Sequence, residues 1–293
     1  MQFYIISTFS VNHLAKRIER KTEKIKVIFP DFNREKKRYF PDGEVYMKLS
    51  SLSRISGNKE KVIILCSGAP KPNEGLIELE LILQILRDKK IKPIEVFFSY
   101  FPYAMQDKVF EKGETNVAEN LVEKLIKFYK VKKIYIIDPH FGERKWVKKY
   151  PIKSVSAVPL LIKKAKIDFG NNILFSSPDK GGERRTGISG TKKERLNSFN
   201  VKISPHSLNL KGKIIGVVDD MIKTGGTLLR FAEISKKAGA KKLIALATHG
   251  VIPEGVSKIK KSYSKLYLTN SINQKEANVD ISGLILKTIL NYD

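Results

Sequence analysis

Two carboxylates followed by a turn rich in glycine and threonine form the most chemically suggestive segment of this 293-residue sequence. Asp219 and Asp220 come after the apolar run Ile214–Val218, and Thr224-Gly225-Gly226-Thr227 follows shortly after them. Glycines let backbone N–H groups approach a phosphate, the threonine hydroxyls add donors, and a helix N-terminus adds a positive dipole. The two acids then remain to accept hydrogen bonds from neighbouring sugar hydroxyls. Together, the acid pair and the glycine- and threonine-rich turn indicate a sugar-phosphate site. Either part alone is typical of a capped helix with solvated acids.

Two further residues with chemical potential follow other apolar runs. His140 comes after Lys133–Ile137, and Asp179 comes after Asn172–Phe175 and just before two glycines. Ligands of open parallel sheets bind beyond the carboxyl ends of the strands, so both positions suit a ligand site. A lone histidine is more often an ordinary hydrogen-bonded side chain, and an aspartate before glycines is a common turn former. Their interpretation therefore depends on the rest of the chain.

Apolar runs rich in β-branched residues alternate with segments of helical periodicity, which predicts an α/β fold with buried, mainly parallel sheets flanked by helices. The predicted strands are Phe3–Ile6, Val62–Leu65, Glu95–Ser99, Lys133–Ile137, Asn172–Phe175, Ile214–Val218 and Lys242–Ala247. The predicted helices are Val11–Glu23, Glu74–Asp88, Asn116–Lys127, Val158–Lys166 and Thr227–Ala238. The alternation runs twice, with a charged, proline-interrupted stretch near Gly142–Pro151, and we therefore predict two similar domains, residues 1–147 and 148–293.

The chain is strongly basic, with 55 Lys and Arg against 30 Asp and Glu and a formal net charge of +25. This charge first suggests nucleic acid as a partner, but the basic residues are scattered, and no cysteine–histidine finger, basic zipper or aromatic-rich RNA-binding signature accompanies them. We interpret most of the surplus as solvated surface, with a smaller share that attracts anionic substrates. No apolar run approaches the ~18 residues of a membrane span, so neither a membrane nor nucleic acid is expected as a partner.

The single cysteine, Cys66, cannot form an internal disulfide, which fits a reducing compartment. The first ten residues contain no Lys or Arg, so no secretory signal is expected. These observations argue against secreted and disulfide-scaffold proteins, and we predict a cytoplasmic location.

The segment at residues 219–227 resembles the ribose-phosphate signature of the phosphoribosyltransferase fold, and other segments resemble ribose-phosphate pyrophosphokinases (PRPP synthetases), in the short form of their archaeal branch. These other segments are Phe40-Pro41-Asp42-Gly43-Glu44, Tyr100–Asp107, Asp138-Pro139-His140, Ser177–Gly182 with Arg185, Lys193-Glu194-Arg195 and Ala247-Thr248-His249. They stand in that family's order and at its spacing, so the resemblance spans nearly the whole chain. It implies two domains of the type I phosphoribosyltransferase-like fold.

The resemblance implies transfer of the β,γ-diphosphoryl group of ATP to the anomeric hydroxyl of ribose 5-phosphate, with release of AMP. The N-terminal domain would supply the ATP side and subunit contacts, and the C-terminal domain the ribose 5-phosphate loop and a flexible catalytic loop. Such a transition state concentrates negative charge on phosphoryl oxygens, so catalysis would rest on metal ions, cationic side chains and positioning. A P-loop kinase is not expected, because the chain has no Gly-x-x-x-x-Gly-Lys-Ser/Thr motif.

The resemblance also implies roles for individual residues. Lys193 and Arg195 would neutralise charge on the β-phosphoryl oxygens and the AMP leaving group, and Mg²⁺ ions would lie near His140 and near Asp179. The implied ligand-binding residues are Phe40, Asp42, Glu44, Gln106 and Asp107 for ATP, and Asp219, Asp220, Thr224, Gly225, Gly226, Thr227 and Arg185 for ribose 5-phosphate. In the family the hairpin around Phe40 comes from a neighbouring subunit, which implies a homo-oligomer, at least a dimer.

Two positions depart from the family pattern. Met105 stands where an arginine that contacts ATP is common, and Lys223 stands where many members carry an acid. Both positions therefore bear on the affinity for the substrates. Three alternatives stay open: a phosphoribosyltransferase, a catalytically weak or regulatory synthetase-like subunit, and a nucleic-acid-binding protein on this fold. A phosphoribosyltransferase leaves the segments at residues 40–44 and 177–182 unexplained. The regulatory and nucleic-acid-binding alternatives are supported only by Met105 and by the basic charge.

Overall fold

The computed structural model describes residues 2–55, 60–188, 193–195, 201–203 and 210–290, with backbone alone for the two three-residue segments. The strands are β1 (Phe3–Ser7), β2 (Ile25–Ile28), β3 (Lys61–Ser67), β4 (Ile94–Tyr100), β5 (Lys133–Ile137), β6 (Ile152–Val155), β7 (Ile173–Ser176), β8 (Lys193–Arg195), β9 (Val201–Ile203), β10 (Ile214–Ile222), β11 (Lys242–Gly250) and β12 (Lys265–Leu268). The helices are α1 (Asn12–Glu19), α2 (Pro72–Asp88), α3 (Val117–Lys127), α4 (Val158–Phe169), α5 (Lys180–Thr186), α6 (Gly226–Lys237), α7 (Pro253–Ser262) and α8 (Ser282–Leu290).

The chain forms two compact units. The first comprises Met1–Val155, Ser271–Asn273 and Ser282–Asp293, and the second comprises Ser156–Asn270 and Gln274–Ile281. The change of unit thus falls after Val155, not after residue 147, and α8 returns to the first unit. One boundary along the sequence cannot describe this arrangement, because the placement of α8 in the first unit depends on contacts between distant segments.

The first unit is built on six parallel strands in the order β2-β1-β3-β4-β5-β6. The central strand β3 is buried from Val62 onward, which explains its unbroken apolar sequence, since helices cover both faces of such a sheet. Helix α2 buries Leu79, Ile82 and Leu83 in the same core. The predicted strands of this half are confirmed, and the edge strands β2 and β6 were missed because they are short and carry exposed polar residues.

The second unit contains four parallel strands in the order β12-β11-β10-β7, and β8 and β9 form a separate antiparallel pair. Strand β10 continues to Ile222, beyond the predicted end at Val218. Its pairing with β11 persists, with Asp219 opposite Ala247 and Met221 opposite His249. The two acids therefore lie within a strand, because the partner strand is long enough to extend the ladder past them.

Three helices were absent from the sequence prediction. Helix α5 has only seven residues and begins Lys-Gly-Gly, helix α7 carries four charged residues among ten, and helix α8 is apolar almost throughout. Helices α5 and α8 show no clear amphipathic period, so their helical state depends on tertiary packing, whereas α7 buries one face through Gly255, Val256 and Ile259. Among the residues that the structure describes, no helix combines the length and the apolar character that a membrane crossing requires.

Candidate active site

A hairpin in the first unit carries Phe40, Asp42 and Glu44. Two backbone hydrogen bonds close it, from Phe40 N–H to Glu44 O at 2.9 Å and from Tyr46 N–H to Arg38 O at 2.8 Å. The Asp42 carboxylate accepts from Glu44 N–H at 3.1 Å, and the Phe40 ring remains 45 % exposed. Three of the five predicted ATP-binding residues thus lie together on one exposed turn.

The base of this hairpin is fixed to helix α2. The Arg38 guanidinium donates to Glu74 at 3.2 Å and also to the buried Glu78, while the Tyr39 hydroxyl donates to Glu74. Glu78 accepts a further hydrogen bond from Phe9 N–H at 3.0 Å, and burial raises its pKa in spite of the neighbouring Arg38. Sequence reasoning missed these anchors, although an acid among the apolar positions of a helix was a usable signal.

The loop after β4 places Gln106 and Asp107 in different environments. Gln106 is exposed, and its backbone is held by hydrogen bonds to Tyr103 O at 2.9 Å and from Ala118 N–H at 3.0 Å. Asp107 is only 3 % exposed, and its carboxylate accepts two hydrogen bonds from Arg144, at 2.6 and 3.1 Å. Sequence reasoning missed Arg144, and a direct contact of Asp107 with ATP stays a prediction.

His140 lies on the turn that follows β5, as the sequence predicts, and it is half-buried. Hydrogen bonds from Gly142 N–H to Pro139 O at 3.0 Å and from Asp138 N–H to Val155 O at 3.1 Å shape this turn. Asp138 adopts a φ of +32°, an uncommon value for a residue with a side chain. Such backbone strain tends to occur at ligand sites, where the surrounding structure maintains it.

In the second unit, Arg185 contacts both acids of β10. Its Nε donates to Asp220 Oδ1 at 2.8 Å, and its Nη2 lies 3.5 Å from Asp219 Oδ1. Both acids are buried, and burial followed by the Asp220 charge raises the pKa of Asp219 well above its ordinary value, against the influence of Arg185. The alternative of two solvated acids is wrong, and the arginine already occupies part of their hydrogen-bonding capacity.

Asp179 begins helix α5 beside this group. Its Oδ1 accepts from Gly182 N–H at 2.7 Å, and its charge adds to the upward shift of the pKa of Asp219. A side chain at Gly181 would place its Cβ 2.6 Å from Arg185 Nη1, so the glycine leaves room for the guanidinium. The structure therefore brings Asp179 and Arg185 together with the two acids of β10.

The Thr224–Thr227 turn joins β10 to helix α6. Gly225 has a φ of +81°, which favours glycine, and it directly precedes the helix. Helix α7 supports the turn from behind, because a Cβ on Gly255 would lie 1.7 Å from Lys223 O. Sequence reasoning missed Gly255, since a lone glycine after Pro253-Glu254 carries no chemical signal. The turn presents backbone N–H groups at a helix N-terminus, as anion binding requires.

The described residues contain no cluster of three or more His, Cys, Asp or Glu side chains that could hold a metal ion unaided. Mg²⁺ usually keeps several waters and takes one or two carboxylates together with substrate phosphates. Arg185 contacts Asp219 and Asp220, and burial, followed by the charges of Asp220 and Asp179, raises the pKa of Asp219. This donor chemistry fits an Mg²⁺ ion that arrives with a phosphate ligand.

Lys193 and Arg195 lie on β8, which pairs with β9 so that Lys193 is opposite Ile203 and Arg195 is opposite Val201. Their side chains lie outside the described part of the chain, so their catalytic role stays a prediction. The two positions that depart from the family pattern, Met105 and Lys223, are both exposed.

Comparison with known proteins finds matches to both halves of the chain. A family profile for the N-terminal domain of ribose phosphate pyrophosphokinase matches residues 3–129, and one for the phosphoribosyl synthetase-associated domain matches residues 189–290. The ribose-phosphate pyrophosphokinase of Thermococcus kodakarensis is 31 % identical over 260 residues, which cover 85 % of this chain and 89 % of the relative. That of Pyrococcus furiosus is 31 % identical over 287 residues, which cover 94 % and 98 %.

The fold has a close counterpart among solved structures. Phosphoribosylpyrophosphate synthetase from Mycobacterium smegmatis superimposes with a TM-score of 0.80 at 21 % identity, over 99 % of this chain and 98 % of the other. The predicted phosphoribosyltransferase-like α/β fold is therefore confirmed. With archaeal relatives of 31 % identity matched over most of both lengths, this chain belongs to the ribose-phosphate pyrophosphokinase family and is an enzyme.

Proposed function

We propose that the enzyme transfers the β,γ-diphosphoryl group of ATP to the anomeric hydroxyl of ribose 5-phosphate, yielding 5-phosphoribosyl 1-diphosphate and AMP. The observation that carries this proposal is the group in the second unit. There, a glycine turn at a helix N-terminus follows two buried acids that contact Arg185. A phosphate-binding turn and acceptors for hydroxyl groups on one strand-to-helix connection suit a sugar phosphate.

Ribose 5-phosphate binds to the second unit in this proposal. Its phosphate accepts hydrogen bonds from the backbone N–H groups of Gly225 and Gly226 and from the hydroxyls of Thr224 and Thr227. Its ring hydroxyls donate to Asp219 and Asp220, and these bonds offset the cost of keeping both acids buried. Arg185 holds the acids in place and neutralises part of their charge.

ATP binds to the first unit. The exposed ring of Phe40 stacks on adenine, and Asp42 and Glu44 accept hydrogen bonds from its exocyclic amine, with Gln106 and Asp107 near the nucleotide. The hairpin serves the site of a neighbouring subunit, so the enzyme works as a homo-oligomer, at least a dimer. Exposure of the whole turn supports this assignment, because a buried hairpin could not reach another chain.

Lys193 and Arg195 neutralise charge that develops on the β-phosphoryl oxygens and on AMP. Mg²⁺ ions held near Asp179 and near His140 would supply further charge neutralisation on the phosphates. A cytoplasmic location is part of the proposal, because Cys66 is a free, buried thiol and the described residues hold no disulfide.

A nucleotide analysis tests the reaction. The full-length chain is incubated with ATP, Mg²⁺ and ribose 5-phosphate, and we expect AMP only when the sugar phosphate is present. ADP as the product would indicate an ordinary kinase, and no turnover over a range of temperatures and phosphate concentrations would indicate a binding or regulatory role.

The variant Lys193→Ala tests the catalytic assignment in the same assay. We expect turnover to fall by about 100-fold or more, because a cation on a charged transition state contributes that order of rate. Affinity for ribose 5-phosphate, measured by calorimetry, should stay near that of the unmodified chain. Near-normal turnover would remove Lys193 from the mechanism.

A further inference from the structure

We propose that Arg144 is a positioning residue that sets the affinity for ATP by joining two loops of the first unit through Asp107. One loop carries Gln106 and the other carries His140, so the inference rests on the proposed function, which assigns these residues to ATP and Mg²⁺. Arg144 itself is not among the residues assigned above.

The first observation is the geometry of the ion pair. Arg144 Nε lies 2.6 Å from Asp107 Oδ2, and Arg144 Nη2 lies 3.1 Å from Asp107 Oδ1, so two oxygens meet two nitrogens. The Asp107 side chain is 4 % exposed and the Arg144 side chain is 40 % exposed. A buried carboxylate with one bidentate arginine partner depends on that partner for its charge compensation.

The second observation is that the same segment also holds the backbone of Asp107. Trp146 Nε1 donates to Asp107 O at 3.2 Å. The Trp146 ring packs at 4.9 Å from the Phe141 ring, and Phe141 packs edge-on at 4.9 Å from Phe101, at the start of the other loop. The segment from Phe141 to Trp146 therefore contacts both the side chain and the carbonyl of Asp107, and it also packs against Phe101 at the start of the same loop.

These contacts connect the two loops that carry the predicted ligand residues. Asp107 is the neighbour of Gln106, and Arg144 lies four residues after His140 in a turn closed by the bond from Arg144 N–H to Phe141 O at 2.9 Å. Loss of the guanidinium leaves a carboxylate buried without a counter-charge. The loop must then move toward water to hydrate it, and Gln106 moves with it.

Kinetics of three variants test this role. Arg144→Met should raise the KM for ATP about tenfold and change the KM for ribose 5-phosphate less than twofold, because neither of the two loops carries a residue assigned to ribose 5-phosphate. Arg144→Lys should give an intermediate KM for ATP, since lysine keeps the charge but not the bidentate geometry. The matched control is Lys149→Met, which removes a nearby cation from an exposed pair with Glu119 and should behave like the unmodified chain.

A double variant separates positioning from general destabilisation. Asp107→Asn removes the buried charge, so adding Arg144→Met to it should raise the KM for ATP less than about twofold further. A rise as large as in the single variant would overturn the coupling through Asp107. So would an unchanged KM for ATP in a folded Arg144→Met variant, or an equal rise of both KM values.

Fluorescence provides a readout that does not need catalysis. Trp146 is the only tryptophan of the chain and is 6 % exposed, so tryptophan emission reports on the surroundings of this one side chain. Arg144→Met and, if that variant fails to fold, Arg144→Lys should shift the emission to longer wavelength without substrates. An unshifted spectrum in both would overturn the proposal. If the unmodified chain forms no AMP, the proposed function fails, whereas this spectral test of the loop contact still applies.

Discussion

The acids predicted to bind ligands occupy two kinds of environment. Asp42 and Glu44 are exposed on a turn, whereas the carboxylates of Asp107, Asp219 and Asp220 are buried and contact an arginine. A buried charge costs free energy unless a partner compensates it, so the second group requires arginines at defined positions. At the residue scale, these three buried acids and their arginine partners are central to the site. Keeping the acids charged lowers the stability of the folded chain.

That cost predicts a pH dependence centred on Asp219. Its pKa in the folded chain lies above the ordinary 3.8, chiefly through burial and then through the Asp220 charge. The folded state therefore binds this proton more tightly than the unfolded state, and stability falls as the pH rises from 3.8 through the raised pKa. Asp219→Asn removes the titrating group and should increase the free energy of unfolding at pH 7 by about 1 kcal/mol.

Thermal unfolding between pH 3.5 and pH 7.5, without Mg²⁺ or substrate, checks this expectation at roughly half-unit pH steps. The advantage of Asp219→Asn should shrink toward the acidic end, where the native carboxyl is protonated as well. The exposed Asp42→Asn is the control and should differ from the unmodified chain by less than about 0.5 kcal/mol. A variant that is less stable at neutral pH than the unmodified chain would contradict the argument.

At the scale of elements, helices support the ligand-binding turns from behind. Helix α2 holds the base of the hairpin through Glu74 and Glu78, and helix α7 approaches the turn after β10 so closely that only glycine fits at position 255. Apart from the buried Gly225, the residues of both turns stay exposed. Rigid elements thus hold the backbone of the turns while leaving their surfaces accessible to ligands.

The variant Gly255→Ala tests the support of the ribose-phosphate turn. The new Cβ would lie 1.7 Å from Lys223 O, so helix and turn must separate. We expect a loss of stability of about 3 kcal/mol and at least about a tenfold weaker affinity for ribose 5-phosphate, measured by calorimetry.

Gly283→Ala is the matched control, because it is also a helical glycine and the nearest atom to its Cβ would be Lys21 Nζ at 4.0 Å. Its stability should be unchanged or slightly higher, since alanine favours helix more than glycine does. Equal affinity for ribose 5-phosphate in both variants would show that the contact of α7 with the turn does not shape the site.

At the scale of the whole molecule, the proposed homo-oligomer predicts how the activity of mixed dimers depends on both subunits. If the Phe40 hairpin serves a neighbouring subunit, Phe40→Ala and Lys193→Ala damage complementary parts of each site. A mixed dimer then contains one site with both changes and one with neither. After subunit exchange at equal concentrations, activity should recover to about a quarter of the unmodified level, because half of the dimers are mixed.

Each variant incubated alone under the same exchange conditions is the control. The AMP assay measures the recovery, and light scattering checks that the assembly state is unchanged. If mixing yields no more activity than the average of the two variants, the hairpin acts within its own subunit. The +25 charge of the chain plays no part in this test, and we interpret most of it as solvated surface, with a smaller share that attracts anionic substrates.

Local patterns in the sequence determined the α/β class, the central strands and the candidate residues. Strands such as β3 and β5 are recognisable from their own apolar residues, and the motifs at residues 40–44 and 219–227 are contiguous. Contacts between distant segments decided the rest: the edge strands β2, β6 and β12, the extension of β10, and the return of α8.

The same division holds within the site. The sequence determined which acids and glycines belong to it, because their types and spacing are visible in one dimension. Only the tertiary structure decided that Asp107 pairs with Arg144, that Arg185 contacts the acids of β10, and that Gly255 supports the phosphate turn. Burial and ion pairing depend on which remote segments meet, and no local pattern encodes those distances.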